Sequence, residues 1–236
     1  MNNSQLFLKQ LDAVIEQNNM LNHPFYQTWS MGKLSREALR EYAKQYYHFV
    51  QTFPTFLSAT HANTPDLSVR QELLENLIEE ERGGGNHPGL WLKFAEALGV
   101  SETETANNTL LPETQEAIAA LRSLTRYGSY LEGVAALYAY ESQIPQVAKV
   151  KIDGLKKFYG IDNPDGLSFF TVHQEADVYH SECERNILRQ HATTNEQQQA
   201  CIESARKSSQ AMLRLLDGAY RTYVELDESS RQPMLN

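Results

Sequence analysis

Three stretches of this chain carry side chains able to hold a metal ion. In "FFTVHQEADVYHSE", residues 169–182, two of the seven histidines and an aspartate stand at His173, Asp177 and His180. On a helix of 3.6 residues per turn, positions i, i+4 and i+7 lie within about 60° of one another. The three side chains therefore point the same way, and imidazole with carboxylate is the donor set of non-haem iron, manganese or zinc. The same spacing also describes a solvated helix face with i, i+4 pairs. Spacing alone leaves both readings open.

The second stretch, "NLIEEERGGGNHPGLW", ends a helix in glutamates and turns through three glycines to His87. Glycine tolerates the left-handed backbone that lets a chain leave a helix and fold back, which would bring Glu80 and His87 towards one centre. A charged helix end followed by an ordinary C-cap loop is the plainer reading. In the third, "LEGVAALYAYESQIPQVAKVKIDGL", Glu141 sits in an apolar and aromatic run with Tyr138 and Tyr140. A buried glutamate is costly unless it is paired or coordinated. Pro145 cannot donate to the Glu141 carbonyl, so a kink is expected there, beside a metal ligand or as simple packing. Lys149 and Lys151 lie beyond the kink, with Lys151 expected to reach inward.

Together these segments offer the carboxylates Glu80, Glu141 and Asp177 and the imidazoles His87, His173 and His180. Without metal, the carboxylates would repel one another and at least one pKa would rise. Two divalent cations would offset them, as in a dinuclear oxygen-activating centre with metals roughly 3.5–4 Å apart. The donor set does not separate Fe/Fe from Mn/Fe. Neither Glu-x-x-His, the mark of ferritin-like carboxylate bundles, nor HExxH occurs in the chain.

The elements that must position these residues read as helical almost throughout. "QLFLKQLDAVIEQ" and "SREALREYAKQYYHFVQTF" repeat apolar residues at three- and four-residue steps. Further helices are expected near 66–82, 88–99, 113–126, 128–158, 166–191 and 195–226, the last opening on a Thr194–Gln197 capping box. "HANTPD", "GGGNHPG", "GVSETETANN", "GIDNPDG" and "HATTNE" read as loops. No alternating strand pattern, repeat or linker stands out. The expectation is an all-α compact bundle of seven or eight helices around an interior site, one domain over residues 1–236. The 236 residues are 41% hydrophobic and 22% charged with net charge −9, and lack a basic run, which argues against a nucleic-acid partner. No signal-peptide core or membrane span is visible. The two cysteines, Cys183 and Cys201, make no disulfide framework. A cytoplasmic protein without a membrane partner is expected.

The Glu-x6-His, the isolated glutamate of "YAYESQIP" and "HQEADVYH" together resemble the haem-oxygenase-like dimetal oxidases of the TenA/PqqC superfamily. Within it the chain is most similar to the CADD-like proteins, named for chlamydial protein associating with death domains. The likeness runs from "LNHPFYQTW" to the last long helix. It implies two metal ions, Fe/Fe or Mn/Fe, with O2 as co-substrate, an external reductant as electron donor, and a homodimer. It also implies a self-sacrificing synthesis of 4-aminobenzoate, a folate precursor, in which a tyrosine of the protein is cleaved between Cα and Cβ and a lysine donates the amino group. Carried over by motif, the sacrificed residue is Tyr26 in "HPFYQTW" and the donor Lys151 in "KVKIDG". Tyr42 and Tyr140 are expected as site neighbours that bond the phenol or relay electrons, and Phe169 as an apolar neighbour of the metal helix. A metal-derived oxidant suits such chemistry, since no side chain alone breaks an unactivated C–C bond. Holding the phenol beside the metals would raise its effective concentration.

Other readings compete. Tyr26 can be a core aromatic, one of twelve tyrosines. The substrate can be an external small molecule. A TenA-like hydrolase would need a cysteine nucleophile, and the chain has none before Cys183. A PqqC-like oxidase would not need six metal-type ligands. An interaction module would not explain an interior ligand set.

Overall fold

The computed structural model describes residues 3–225. These residues form helices and no strand. The helices are α1 (Asn3–Gln17), α2 (Pro24–Ser30), α3 (Arg36–Asn63), α4 (Leu67–Glu81), α5 (His87–Ala97), α6 (Glu102–Ala106), α7 (Pro112–Tyr127), α8 (Tyr130–Glu141), α9 (Ile144–Phe158), α10 (Pro164–His191) and α11 (Asn195–Tyr220). A π-helical turn, Arg221–Glu225, closes the last helix, and residue 226 lies outside the described residues.

Side-chain caps set most of the starts. Asp66 accepts from the Ser68 and Val69 amides, Asn86 from Gly89 and Asn163 from Gly166. Each satisfies an amide that the first turn leaves free. Ser129 with Glu132, and Thr194 with Gln197, form reciprocal capping boxes.

Among the described residues eleven α-helices replace the expected seven or eight, for local reasons. Pro24 at the first position, capped by His23, starts α2 as a helix of its own. The "GVSETETANN" loop holds α6, nucleated by a Ser101–Glu104 capping box. The helix expected over 128–158 does not kink but ends, with α8 stopping at Glu141 and α9 beginning at Ile144. Pro145 occupies the first turn of α9, where its missing N–H costs nothing. Gln143 bridges the break, donating to the Ala139 carbonyl at 2.7 Å and accepting from the Met20 amide at 2.8 Å.

The long helices α3 and α10 organise the interior. α3 packs on α4, α5, α7 and α8, while α10 packs on α5, α8 and α9 and meets α4. α11 covers the far side of α7 and α8. Tyr42, Tyr46, Phe49, Trp91, Phe94 and Phe170 are among the buried aromatics where α3, α5 and α10 meet. No helix among the described residues is long and apolar enough to cross a membrane.

Candidate metal centre

The acids and imidazoles named from sequence all lie inside the bundle. Glu80, His87, Glu141, His173, Asp177 and His180 are each at most 4% exposed. α4 supplies Glu80 from its last turn. Gly83, at φ 70°, then makes the left-handed turn that brings α5 back with His87 at its first position. Ligand atoms of Glu80, His87 and His173 lie within 4.8 Å of one another. Nδ1 of His87 is 2.8 Å from a Glu80 oxygen, so the two side chains meet at one place.

Two histidines have one ring nitrogen occupied. Nδ1 of His173 lies 2.6 Å from the Phe169 carbonyl, which leaves Nε2 as its donor atom. Nε2 of His180 lies 3.1 Å from Oε2 of Glu79, which leaves Nδ1. Glu141 accepts from Nδ2 of Asn76 at 2.9 Å. A cavity of about 10 Å³, room for a single water-sized occupant, is lined by Glu80, Glu141, His173, Asp177, Tyr140, Phe169, Val50 and Phe53.

The charges explain why a cation suits this place. Burial pushes the Asp177 carboxyl well up, and the nearby Glu141 and Glu80 charges push the same way. Burial also raises Glu141, against a hydrogen bond with Glu184 and the His180 charge, which lower it. Burial, then the charge of His87, holds His173 far below its usual range, as a neutral imidazole able to ligate. For His87, burial acts downward, but the neighbouring carboxylates, Glu80 first, raise it overall. Among the described residues, Oε2 of Glu141 and Oδ2 of Asp177 receive no hydrogen bond. Buried unpartnered carboxylate oxygens cost several kcal/mol each unless a cation meets them. The residues present therefore fit a metal.

The side chains tied to the sacrificed-tyrosine scheme form a second buried group. Tyr26 on α2 is 1% exposed and its hydroxyl shares a 3.2 Å hydrogen bond with that of Tyr42. The rings of Tyr42 and Tyr46 are 5.3 Å apart, and the Tyr46 hydroxyl lies 3.1 Å from that of Tyr140. Tyr26 is not among the residues lining the cavity; the run of phenols connects it there through Tyr140. Lys151 points inward as expected, with Nζ 4.7 Å from the Tyr46 ring centre and 5.4 Å from that of Tyr26. Tyr42, Trp91 and Phe170 complete its cage at 5.3 Å. Burial holds its pKa well below the usual lysine value. Cation–π attraction of about 0.5–2 kcal/mol is small beside the desolvation of an ammonium, so the site favours the neutral amine. Lys149 instead pairs on the surface with Asp153 at 2.6 Å. Tyr138 turns away, donating to Asp12 at 2.7 Å. Phe169 stacks on His173, ring centres 4.0 Å apart.

Sequence reading missed Asn76, Glu79, Tyr46 and Glu184. Asn76 stands four residues before Glu80, and Glu184 four after His180, so both continue a stripe already drawn. Tyr46 carried no signal beyond its place on an amphipathic helix.

A helical bundle closed over buried carboxylates and imidazoles is a natural host for a non-haem metal centre. The chain belongs to the family described as iron-containing redox enzymes, whose sequence profile matches residues 40–212. It is 45% identical to a 4-aminobenzoate synthase of Nitrosomonas europaea, covering 92% of both chains. A 4-aminobenzoate synthase of Chlamydia muridarum is 42% identical over 91% of this chain and 90% of its own. Among solved structures, a TenA homologue from Pseudomonas syringae pv. tomato superposes with TM-score 0.78 at 17% identity, covering 92% of each chain. A CADD-like protein from Nostoc punctiforme gives 0.70 at 19%, covering 95% of this chain and 98% of its own. At such identities the structural likeness is one of fold.

Proposed function

We propose that this protein makes 4-aminobenzoate from its own Tyr26, with Lys151 as the amino donor and O2 and an external reductant as co-substrates. Glu80, His87, Glu141, His173, Asp177 and His180 would hold two metal ions, Fe/Fe or Mn/Fe. Bound there, the pair would supply the O2-derived oxidant that the cleavage requires.

The observation that carries this reading is the juxtaposition of Tyr26 with Lys151 inside one aromatic cage, both buried. The ring and Cβ of a tyrosine contain all the carbon atoms of 4-aminobenzoate. The amine must replace the phenolic oxygen, and burial shifts Lys151 towards the neutral form that a nucleophilic amine requires. Tyr42 fixes the Tyr26 phenol by its hydrogen bond. The Tyr26–Tyr42–Tyr46–Tyr140 run offers a short path for electrons between the phenol and the carboxylate cavity. Burial, then neighbouring phenols, raises Tyr26 and Tyr42 and so favours their protonated forms.

The narrow cavity also favours an internal substrate. At about 10 Å³ it is far below the roughly 300 Å³ at which small-molecule pockets begin. A hydrolase reading finds no nucleophile in Cys201, whose thiol is pushed up to about 12 by burial and donates to the Leu131 carbonyl.

Peptide mass mapping tests the proposal, on metal-free protein reloaded with Fe(II), or Fe(II) with Mn(II), before and after O2 and reductant. The expected result is loss of the Tyr26 side chain and a modified Lys151 peptide. Protein grown on ¹⁵N-lysine should release ¹⁵N-labelled 4-aminobenzoate. Intact Tyr26 and Lys151 peptides after O2 is consumed would move the substrate outside the protein.

A further inference from the structure

One buried acid has no part in the centre as built so far. Glu184 follows His180 by four residues and His173 by eleven, which returns it to the same stripe of α10 within about 20°. It is 3% exposed, and neither of its carboxylate oxygens receives a hydrogen bond among the described residues. It lies within hydrogen-bond reach of Glu141, and two acids so close hold together only through a shared proton or a cation. Those observations describe an acid aimed at a place where only a proton or a cation could satisfy it.

Charge balance favours the cation. Three carboxylates with neutral histidines leave two divalent ions with a surplus positive charge in a desolvated interior, whereas four match them. Glu80, His87 and His173 already converge, Glu141 and Asp177 line the same cavity as Glu80 and His173, and Glu184 adjoins Glu141.

We infer that Glu184 is a seventh donor of the dinuclear centre, a ligand of the second metal position beside Glu141, Asp177 and His180. The inference rests on the metal-centre reading above and deepens it.

Mn(II) titration of the metal-free full-length protein, followed by the free-ion electron paramagnetic resonance signal, separates the two. The wild type should take up two equivalents. Glu184→Gln should retain the first and bind the second at least tenfold more weakly, while Glu182→Gln, an exposed neighbour on the same helix, should match the wild type. A wild type that binds no Mn(II) or Fe(II) would overturn the centre itself. Two unchanged equivalents in Glu184→Gln would overturn only the role of Glu184. A crystal structure of Mn(II)-loaded wild type decides between ligation and mere positioning, and serves if the variant does not fold. A Glu184 oxygen bonded to an ion supports the inference; a Glu184 carboxyl that touches only Glu141 overturns it.

Discussion

Two buried groups lie side by side in this bundle and solve opposite electrostatic problems. The carboxylate cavity between α4, α8 and α10 gathers Glu80, Glu141 and Asp177, with Glu184 beside Glu141, and burial with neighbouring charge drives Glu141, Asp177 and Glu184 towards neutrality. The aromatic cage between α2, α3, α5 and α9 holds one base, Lys151, with no carboxylate in ion-pair reach among the described residues. The first carries excess charge that a cation can cancel. The second has one charge that nothing cancels, so it is given up. The lesson is that burial alone prepares both groups for chemistry, one as a ligand set and the other as a free amine.

The largest effect expected from that contrast is on product. Tyr26→Phe and Lys151→Met should each lower 4-aminobenzoate per protein by roughly 100-fold or more, since the reacting group itself is gone. Both should still bind metal as the wild type does. Loss of metal in either variant, measured by elemental analysis, would mean the two groups are not separable.

Next comes stability. If the cavity is relieved by cations, each ion at 100 times its dissociation constant adds about 2.7 kcal/mol. For a chain of this size that is roughly 5–10 °C in Tm per ion. Scanning calorimetry with and without Mn(II) or Fe(II) should show it, and Asp177→Asn should lose most of the shift. A metal-independent Tm would break the contrast.

The cage should show the reverse dependence, on protons. Lys151 titrates near 10.5 when unfolded and well below that when folded. Between those values the unfolded chain binds the extra proton, so Lys151 costs stability that is regained only as pH rises towards 10.5. Replacing it by Met should therefore stabilise the metal-free protein most near neutral pH. The gain should shrink by up to about 1.4 kcal/mol per pH unit above that. Urea unfolding at pH 7, 8 and 9 measures this, and a gain that does not vary with pH would mean the folded amine stays charged.

The smallest effect tests how the cage is held. A Cβ at Gly154 on α9 would lie 2.5 Å from Nε1 of Trp29, so that glycine is what lets α2 approach the helix of Lys151. Gly154→Ala gains helix propensity but overpacks, for a net loss of about 1 kcal/mol. Because it moves α2 against α9, it should slow product formation while leaving metal stoichiometry intact. Equal loss of both would place the strain elsewhere.

Local periodicity made much of this legible from sequence. The stripe of His173, Asp177 and His180, the glycine turn from Glu80 to His87 and the Thr194–Gln197 capping box depend on residues close in the chain, and each stands where expected. Glu184 was equally local and was overlooked because the stripe was followed for two turns and not three. The kink expected at Pro145 became a full break, since Gln143 bonds to both Ala139 and Met20, and Met20 is far away in sequence.

By itself, then, the sequence determined the helices, the inward stripe of α10 and the residue types available for chemistry, because those follow from short-range spacing and side-chain donor sets. Only the tertiary structure decided that Asn76 holds Glu141, that Tyr46 joins Tyr42 to Tyr140, and that Lys151 rather than Lys149 enters the core. It also decided that Tyr26 reaches the carboxylates through other phenols instead of lying against them. These are contacts between helices, and their cost or benefit comes from desolvation. Desolvation depends on everything packed around a group, which no stretch of chain contains.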